Sequence, residues 1–158
     1  MDSGSQPSPD DFIVVLVTVP NQDVAAQLAN ALVGDKLVAC VNILPQVRSI
    51  YAWQGKICDD SELLCVLKTR RDLFAALRDR VVALHPYEVP EIIAIPLALG
   101  HTPYLTWLSA ETRPAADGTR AGDFLAFVSH EYAAGSNASD GPSRSRAECA
   151  KASLPDIG

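Results

Sequence analysis

Apolar residues recur along this chain in two different rhythms, and the alternation between them predicts its elements of secondary structure. Short runs rich in Val, Ile and Leu predict strands. These runs lie at 12–19, 36–43, 47–53, 61–69 and 91–99, and the second and third are one strand interrupted at Pro45. Apolar residues at helical spacing predict two long helices, over about 21–33 and about 73–84, and a short third helix over 103–112.

The order of these elements is β-α-β-β-α-β followed by a helix, which predicts a ferredoxin-like antiparallel sheet of the α+β class. In that fold both long helices cover one face of the sheet, so a strand whose other face meets water alternates apolar with polar residues. The runs "FIVVLV", "LLCVL" and "IIAI" are instead apolar at successive positions. We therefore expect both faces to be dry, and the second to be covered by other copies of the chain.

The second and third strands are expected to form one long β-hairpin around the turn at Gln54 and Gly55. Each arm of up to about 15 residues approaches 50 Å at roughly 3.3 Å per residue, whereas a helix of about 13 residues covers only about 20 Å. The tip, with Tyr51 and Trp53, is therefore expected to project beyond the core and add to a neighbouring chain. The alternative is an arm that folds back onto its own subunit.

The composition changes on both sides of this region. Residues 1–11 are acidic and contain proline, and they predict a disordered lead. Residues 113–158 are rich in Ala, Gly and Ser and predict a tail of low order, although "FLAFV" at 124–128 is an alternative candidate for an extra strand. The folded domain is thus predicted to span residues 12–112.

Charge and motifs exclude several classes of function. The net charge is −6 and the pI is about 4.9, which argues against a nucleic-acid partner because phosphate binding needs a surplus of Lys and Arg. No apolar run approaches the roughly 20 residues of a membrane span, and the first residues lack the features of a signal peptide. We therefore expect a cytoplasmic protein without a membrane partner. Nucleophile and phosphate-loop motifs are absent from the sequence, so we expect no enzyme.

The densest polar group of the predicted domain follows its second helix. His85, Tyr87, Glu88 and Glu91 lie in a loop that two prolines stiffen. A stiff loop that holds an imidazole and carboxylates suits a metal site or a general acid–base pair. The alternative is structural, with His85 capping the end of the helix and Glu91 beginning a strand.

Two further candidates come from strand ends. Lys68 and Thr69, with the arginines that follow them, are placed to hold an anion near a helix start, and the alternative is a solvated run of charges. Cys40 lies within a predicted strand. It is either a core residue or a thiolate ligand for a soft metal.

Five segments taken together resemble the CutA family of divalent-cation tolerance proteins. They are "VACVNI" (38–43), "SIYAWQGKI" (49–57), "LKT" (67–69), "HPYEVPEI" (85–92) and "YLTWL" (104–108). The resemblance covers about residues 12–112. It implies a ferredoxin-like fold assembled as a homotrimer, similar in architecture to the PII signalling proteins, and a role in the response to divalent metal ions.

The resemblance also implies a ligand set. The matching metal candidates are Cys40, His85 and Glu91, whereas Val17 stands where some bacterial members have a further cysteine. A set rich in nitrogen and oxygen favours weak binding of Cu²⁺. The candidates for a ligand-binding cleft are Tyr51, Trp53, Lys68, Thr69, Tyr87, Glu88 and Trp107. The alternative function is a non-catalytic scaffold or signalling trimer of PII-like architecture that binds a small anion or a partner protein.

Overall fold

The strands predicted from the apolar runs form one antiparallel sheet of four strands in the order β2-β3-β1-β4. The computed structural model describes residues 7–113 of the chain. Its elements are β1 (Phe12–Val19), α1 (Gln22–Gly34), β2 (Cys40–Trp53), β3 (Lys56–Arg70), α2 (Phe74–Leu84), β4 (Ile93–Pro96) and α3 (Thr102–Glu111). The element order β-α-β-β-α-β with a third helix is therefore the predicted one.

Helices α1 and α2 cover one face of this sheet. Alternate residues of β1, from Ile13 to Val19, pack with Leu28 and Leu32 of α1 and with Leu77 of α2 in one core cluster. A strand points successive side chains to opposite faces, so this set uses only half of each apolar run. The other half lies on the opposite face.

That opposite face, which we call the open face, is apolar and only partly covered. Its members include Val14, Leu16, Leu64, Val66, Ile93 and Ile95. At one end of the face α3 packs Leu105 and Leu108 against Phe12. Elsewhere the face is bare within one chain, and Ile93 and Ile95 are 49% and 48% exposed. Both faces therefore carry apolar side chains, and the coverage of the open face by other copies of the chain stays a prediction.

Strands β2 and β3 extend well beyond the rest of the sheet. The last pair of β1 joins Val19 to Leu63, whereas β2 and β3 continue for seven more pairs, ending at Trp53 and Lys56. We call this two-stranded extension, residues 47–62, the arm. Gln54 and Gly55 both have positive φ, 48° and 78°, the backbone of a two-residue hairpin turn whose twist matches that of the strands. The arm projects as predicted, with Ile50 and Ile57 exposed near its tip.

The boundaries of several strands differ from the prediction. Strand β2 starts at Cys40 rather than at residue 36, and it does not break at Pro45 but passes through a β-bulge there. Strand β3 starts five residues earlier than expected, directly after the turn. Strand β4 is shorter than the run 91–99, and Pro96 lies at its end on the edge of the sheet, where no neighbour needs its missing N–H.

The terminal segments lie mostly outside the described residues. Ser8 caps a short 3-10 turn over Pro9–Asp11, directly before β1. The predicted tail contributes only Arg113, and the segment 124–128 is outside the described range. Within residues 7–113, every helix is too short or too polar to cross a membrane.

Candidate functional site

His85 ends α2 and is held at both ring nitrogens. Its Nε2 lies 2.8 Å from the carbonyl oxygen of Thr18, and its Nδ1 accepts a hydrogen bond of 3.1 Å from the backbone N–H of Tyr87. Because Nδ1 accepts, Nε2 carries the proton and donates to Thr18. The ring is only 2% exposed. A metal ion at His85 would have to replace one of these two bonds, so the structural alternative describes this imidazole better within one chain.

Tyr87, in the loop after α2, contacts a buried carboxylate at the base of the arm. Its hydroxyl donates to Oε1 of Glu62 at 2.9 Å, and its ring packs against His85 with centroids 4.8 Å apart. Glu62 is only 3% exposed. Burial raises the pKa of Tyr87, and the neighbouring Glu62 raises it further, so the phenol stays protonated and keeps donating.

A second tyrosine–carboxylate pair lies beside the first. The hydroxyl of Tyr51 on β2 donates to Oδ2 of Asp60 on β3 at 2.6 Å. Asp60 and Glu62 are two residues apart on one strand, so their side chains point to the same face. We call Tyr51, Asp60, Glu62 and Tyr87 the carboxylate–tyrosine cluster.

The polar surroundings of this cluster include an unsatisfied hydroxyl. Thr18 shares the open face with Glu62, is 5% exposed, and its Oγ1 has no hydrogen-bond partner within the described part of the chain. Buried polar groups are usually satisfied, so such an atom marks a place where a further polar group fits. The base of the arm therefore combines two tyrosine–carboxylate pairs with a buried, unsatisfied hydroxyl.

Sequence reasoning named the two tyrosines and missed the two carboxylates. The signal was the alternation Asp60-Ser61-Glu62, which places two acids on one face if the strand includes them. Because the predicted strand begins only at residue 61, the prediction leaves Asp60 outside the strand and does not place it beside Glu62.

Cys40 lies far from His85. Cys40 pairs with Lys68, and Lys68 pairs in turn with Val14 of β1. His85 instead bonds Thr18, four residues further along β1, which is about 13 Å at 3.3 Å per residue. The structure therefore does not bring Cys40 and His85 together within one chain.

The other predicted residues are dispersed. Glu91 is half-buried just before β4, and Glu88 is exposed in the loop. Trp53 is half-buried at the end of the arm, and Trp107 is 42% exposed on α3. Within residues 7–113 no group of three or more His, Cys, Asp or Glu side chains is placed to hold a metal ion.

Lys68 and Thr69 point to opposite faces of β3. Thr69 is buried on the helix side, where its hydroxyl donates to the carbonyl of Leu37 at 2.6 Å. Lys68 lies on the open face, with its Nζ 3.6 Å from Sγ of Cys40. These two residues therefore do not form one anion site.

Comparison with known proteins places this sequence among divalent-cation tolerance proteins. The family model for the CutA1 divalent ion tolerance protein matches residues 13–111. The divalent-cation tolerance protein CutA of Thermus thermophilus is 54% identical over 99 residues, which cover 63% of this chain and 96% of that protein. The human protein CutA is 47% identical over 116 residues, which cover 73% of this chain and 65% of the human protein.

Solved structures of CutA proteins have a similar fold. The crystal structure of CutA1 from Oryza sativa is 47% identical, with a TM-score of 0.64, and the match covers 67% of this chain and 98% of that one. The divalent cation tolerance protein from Thermus thermophilus is 52% identical with a TM-score of 0.63, over 65% of this chain and 99% of that one.

Proposed function

Because this chain belongs to the CutA1 divalent ion tolerance family, we propose that it acts as a homotrimer in the response to divalent metal ions, with weak Cu²⁺ binding at the boundaries between subunits. The open face is the observation that carries the assembly. A bare apolar sheet is a liability in a monomer, and further copies of the chain remove it from water. The number three and the ferredoxin-like trimer of PII-like architecture come from the family resemblance.

The residues of one chain do not fit a tightly held ion. The described residues include no three-ligand group, and both nitrogens of His85 are in use. The pair Asp60 and Glu62 offers carboxylate oxygens on one face of β3, although two carboxylates leave a coordination sphere incomplete. We propose weak binding at this pair, with the remaining ligands from a neighbouring subunit. Because Cys40 and His85 lie apart within one chain, a site that combined them with Glu91 would also need a second subunit. For such N/O ligands, affinity rises from Zn²⁺ to Cu²⁺.

A cleft lined partly by arginines bears on the alternative of a small-anion site. An open cleft of about 810 Å³ is lined partly by Arg70, Arg71 and Asp72. Arg70 is paired with Asp72, and Nε of Arg71 donates to the carbonyl of Asp10 at 2.8 Å. Because both guanidinium groups already have partners, this cleft gives the anion alternative little support.

We also propose a non-enzymatic, cytoplasmic role for this protein. The names of its relatives describe tolerance to an ion and no reaction. Location varies among those names, since the Arabidopsis thaliana relative is called chloroplastic and the Archaeoglobus fulgidus relative is called periplasmic.

Calorimetric titration with Cu²⁺ tests the metal proposal. We expect the double variant Asp60→Asn, Glu62→Gln to lose most of the affinity of the wild-type trimer. The control Asp79→Asn, which changes an exposed carboxylate paired with Arg78, is expected to bind as wild type. Unchanged binding in the double variant would remove the metal role from the base of the arm, and loss of binding in His85→Asn alone would assign it to the histidine loop.

A further inference from the structure

The acids of the carboxylate–tyrosine cluster lack the cation that their neighbour on the same strand has. Asp59 points to the opposite face of β3, where Nε and Nη2 of Arg48 donate to its two oxygens. Within residues 7–113, no Lys, Arg or His side chain forms an ion pair with Asp60 or Glu62. Glu62 is nevertheless only 3% exposed. Because buried charges in proteins are usually paired, this carboxylate indicates a missing cation.

Each of the two acids also keeps one oxygen without a donor. Oε1 of Glu62 accepts from Tyr87, and Oδ2 of Asp60 accepts from Tyr51. Within the described part of the chain, no hydrogen bond reaches the second oxygen of either carboxylate. Burial raises the pKa of Tyr87, and Glu62 and then Tyr51 and Asp60 raise it further, so the two pairs lie within electrostatic range of each other. The cluster therefore offers two acceptors to one incoming donor group.

The hydroxyl of Thr18 is an independent sign of a missing polar group at this place. The carbonyl of Thr18 accepts from His85, but its Oγ1 has no partner within residues 7–113, and the residue is 5% exposed. Thr18 pairs with Leu64, two residues along β3 from Glu62. Thr18 and Glu62 are thus diagonal neighbours on one face, with about 7–8 Å between them. A third acceptor therefore lies beside the buried carboxylate.

We propose that the carboxylate–tyrosine cluster binds the primary ammonium group of a small organic amine. An ammonium carries one positive charge and three N–H donors and accepts nothing. The free oxygens of Glu62 and Asp60 and the hydroxyl of Thr18 are acceptors for such donors, with Glu62 between the other two along the face. The rings of Tyr51 and Tyr87 add cation–π attraction. Asp60 is half-buried, so the cluster is open to solvent on its side.

An organic cation makes smaller geometric demands on this cluster than a metal ion does. A divalent ion needs several ligand atoms at about 2.0–2.6 Å around one point. No group of three or more His, Cys, Asp or Glu side chains in the described range offers that. An ammonium instead bonds separate acceptors at about 2.7–3.2 Å. The inference goes beyond the metal response but concerns the same carboxylates, so an amine and Cu²⁺ are expected to compete for them.

Calorimetric titration of the full-length protein with putrescine, in a metal chelator, tests this inference. Butanediol is the uncharged analogue, and we expect putrescine to bind and butanediol not to bind. Glu62→Gln is expected to weaken putrescine binding at least about tenfold, because the buried charge is lost. Asp59→Asn removes a carboxylate from the other face of the same strand and is expected to bind as wild type. Because the chelator removes metal ions, the result is independent of the Cu²⁺ titration.

Thr18→Val distinguishes a ligand-binding role of the hydroxyl from a structural one. Valine keeps the shape and removes a buried hydroxyl without a partner, so the melting temperature of the free protein is expected to rise. Putrescine binding is expected to weaken by about threefold to tenfold in the same variant, because one acceptor is lost. A structural role alone would not move stability and affinity in opposite directions.

Circular dichroism establishes that each variant is folded. Three results would each overturn the proposal, even if Cu²⁺ still binds. The first is equal affinity of the wild type for putrescine and butanediol. The second is unchanged putrescine affinity in folded Glu62→Gln, and the third is a loss in Asp59→Asn as large as that in Glu62→Gln.

Discussion

The imidazole of His85 contributes to stability through both of its nitrogens, so replacing it leaves two buried backbone groups without partners. We expect His85→Ala to lower the free energy of unfolding by about 2–4 kcal/mol, because the Thr18 carbonyl and the Tyr87 N–H lose their bonds and a cavity remains. Glu91→Ala, on a half-buried side chain six residues later, is expected to change it by less than about 1 kcal/mol. Urea unfolding of both variants measures the difference. Equal losses of stability would contradict a stabilising role for the two hydrogen bonds of His85.

The buried thiol of Cys65 makes stability depend on alkaline pH. Burial raises its pKa from 9.0 to about 11 in the folded protein, so the folded state holds this proton more tightly than the unfolded chain does. This contribution is complete below about pH 9 and is lost as the pH rises through about 11. Melting temperatures between pH 8 and pH 11 are expected to fall less steeply for Cys65→Val than for wild type. Parallel curves would contradict the assignment.

For single residues, the sequence indicates which side chains belong to the candidate site more readily than it indicates their hydrogen-bond partners. Tyr87 and Glu62 are 25 residues apart, and their bond exists only because the loop after α2 reaches across to the base of the arm. No local spacing encodes such a contact. His85 was identified from its proline-bounded loop, but its tautomer and bonds depend on a strand 67 residues away.

Among the elements, helix α3 packs its Leu105 side chain closely against Gly100. A Cβ atom at Gly100 would stand 2.9 Å from both terminal carbons of Leu105, which anchors α3 against Phe12. We expect Gly100→Ala to cost about 1–3 kcal/mol through this overpacking. Gly34→Ala is the matched control, because nothing lies within 4 Å of its added carbon and the residue ends α1. That change is expected to be neutral or stabilising by up to about 1 kcal/mol. Thermal unfolding of both variants tests this. A melting temperature that falls for Gly100→Ala but not for Gly34→Ala is the expected result.

The sequence predicts an element well where its apolar periodicity is strong. It predicts a strand less well where only backbone pairing with a neighbouring strand fixes the boundaries. Strand β1 and helix α1 lie where their patterns place them, with Asn21 accepting from the N–H of Val24 at the helix start. The first residues of β3, "KICDDS", mix apolar and charged side chains and carry no clear strand pattern. They are held in register by the two-residue turn and by partners on β2 such as Arg48, which forms an ion pair with Asp59. Strand β4 pairs only with residues 13–16 of β1 and ends at Pro96, which cannot donate to a ladder.

For the whole molecule, the question is whether other copies of the chain cover the open face. Two apolar side chains with nearly equal exposure in one chain test this. Ile95 on the open face is 48% exposed in one chain, and Val82 on α2 is 50% exposed. If copies of the chain cover the open face, a charge at Ile95 is buried in the assembly without a partner, whereas a charge at Val82 stays in water. Exposure alone predicts similar tolerance for both changes, so a difference in oligomeric state between the two variants reports the assembly.

We expect the wild type and Val82→Glu to sediment as a species of about 51 kDa, three times the 16.9 kDa of one chain. Ile95→Glu is expected to sediment as a monomer or to aggregate, because an unpaired buried carboxylate costs several kcal/mol at each interface. Sedimentation velocity at micromolar concentration distinguishes these outcomes. A trimer that tolerates Ile95→Glu as well as Val82→Glu would place the interface elsewhere, and a folded wild-type monomer would show that this sheet face is stable in water.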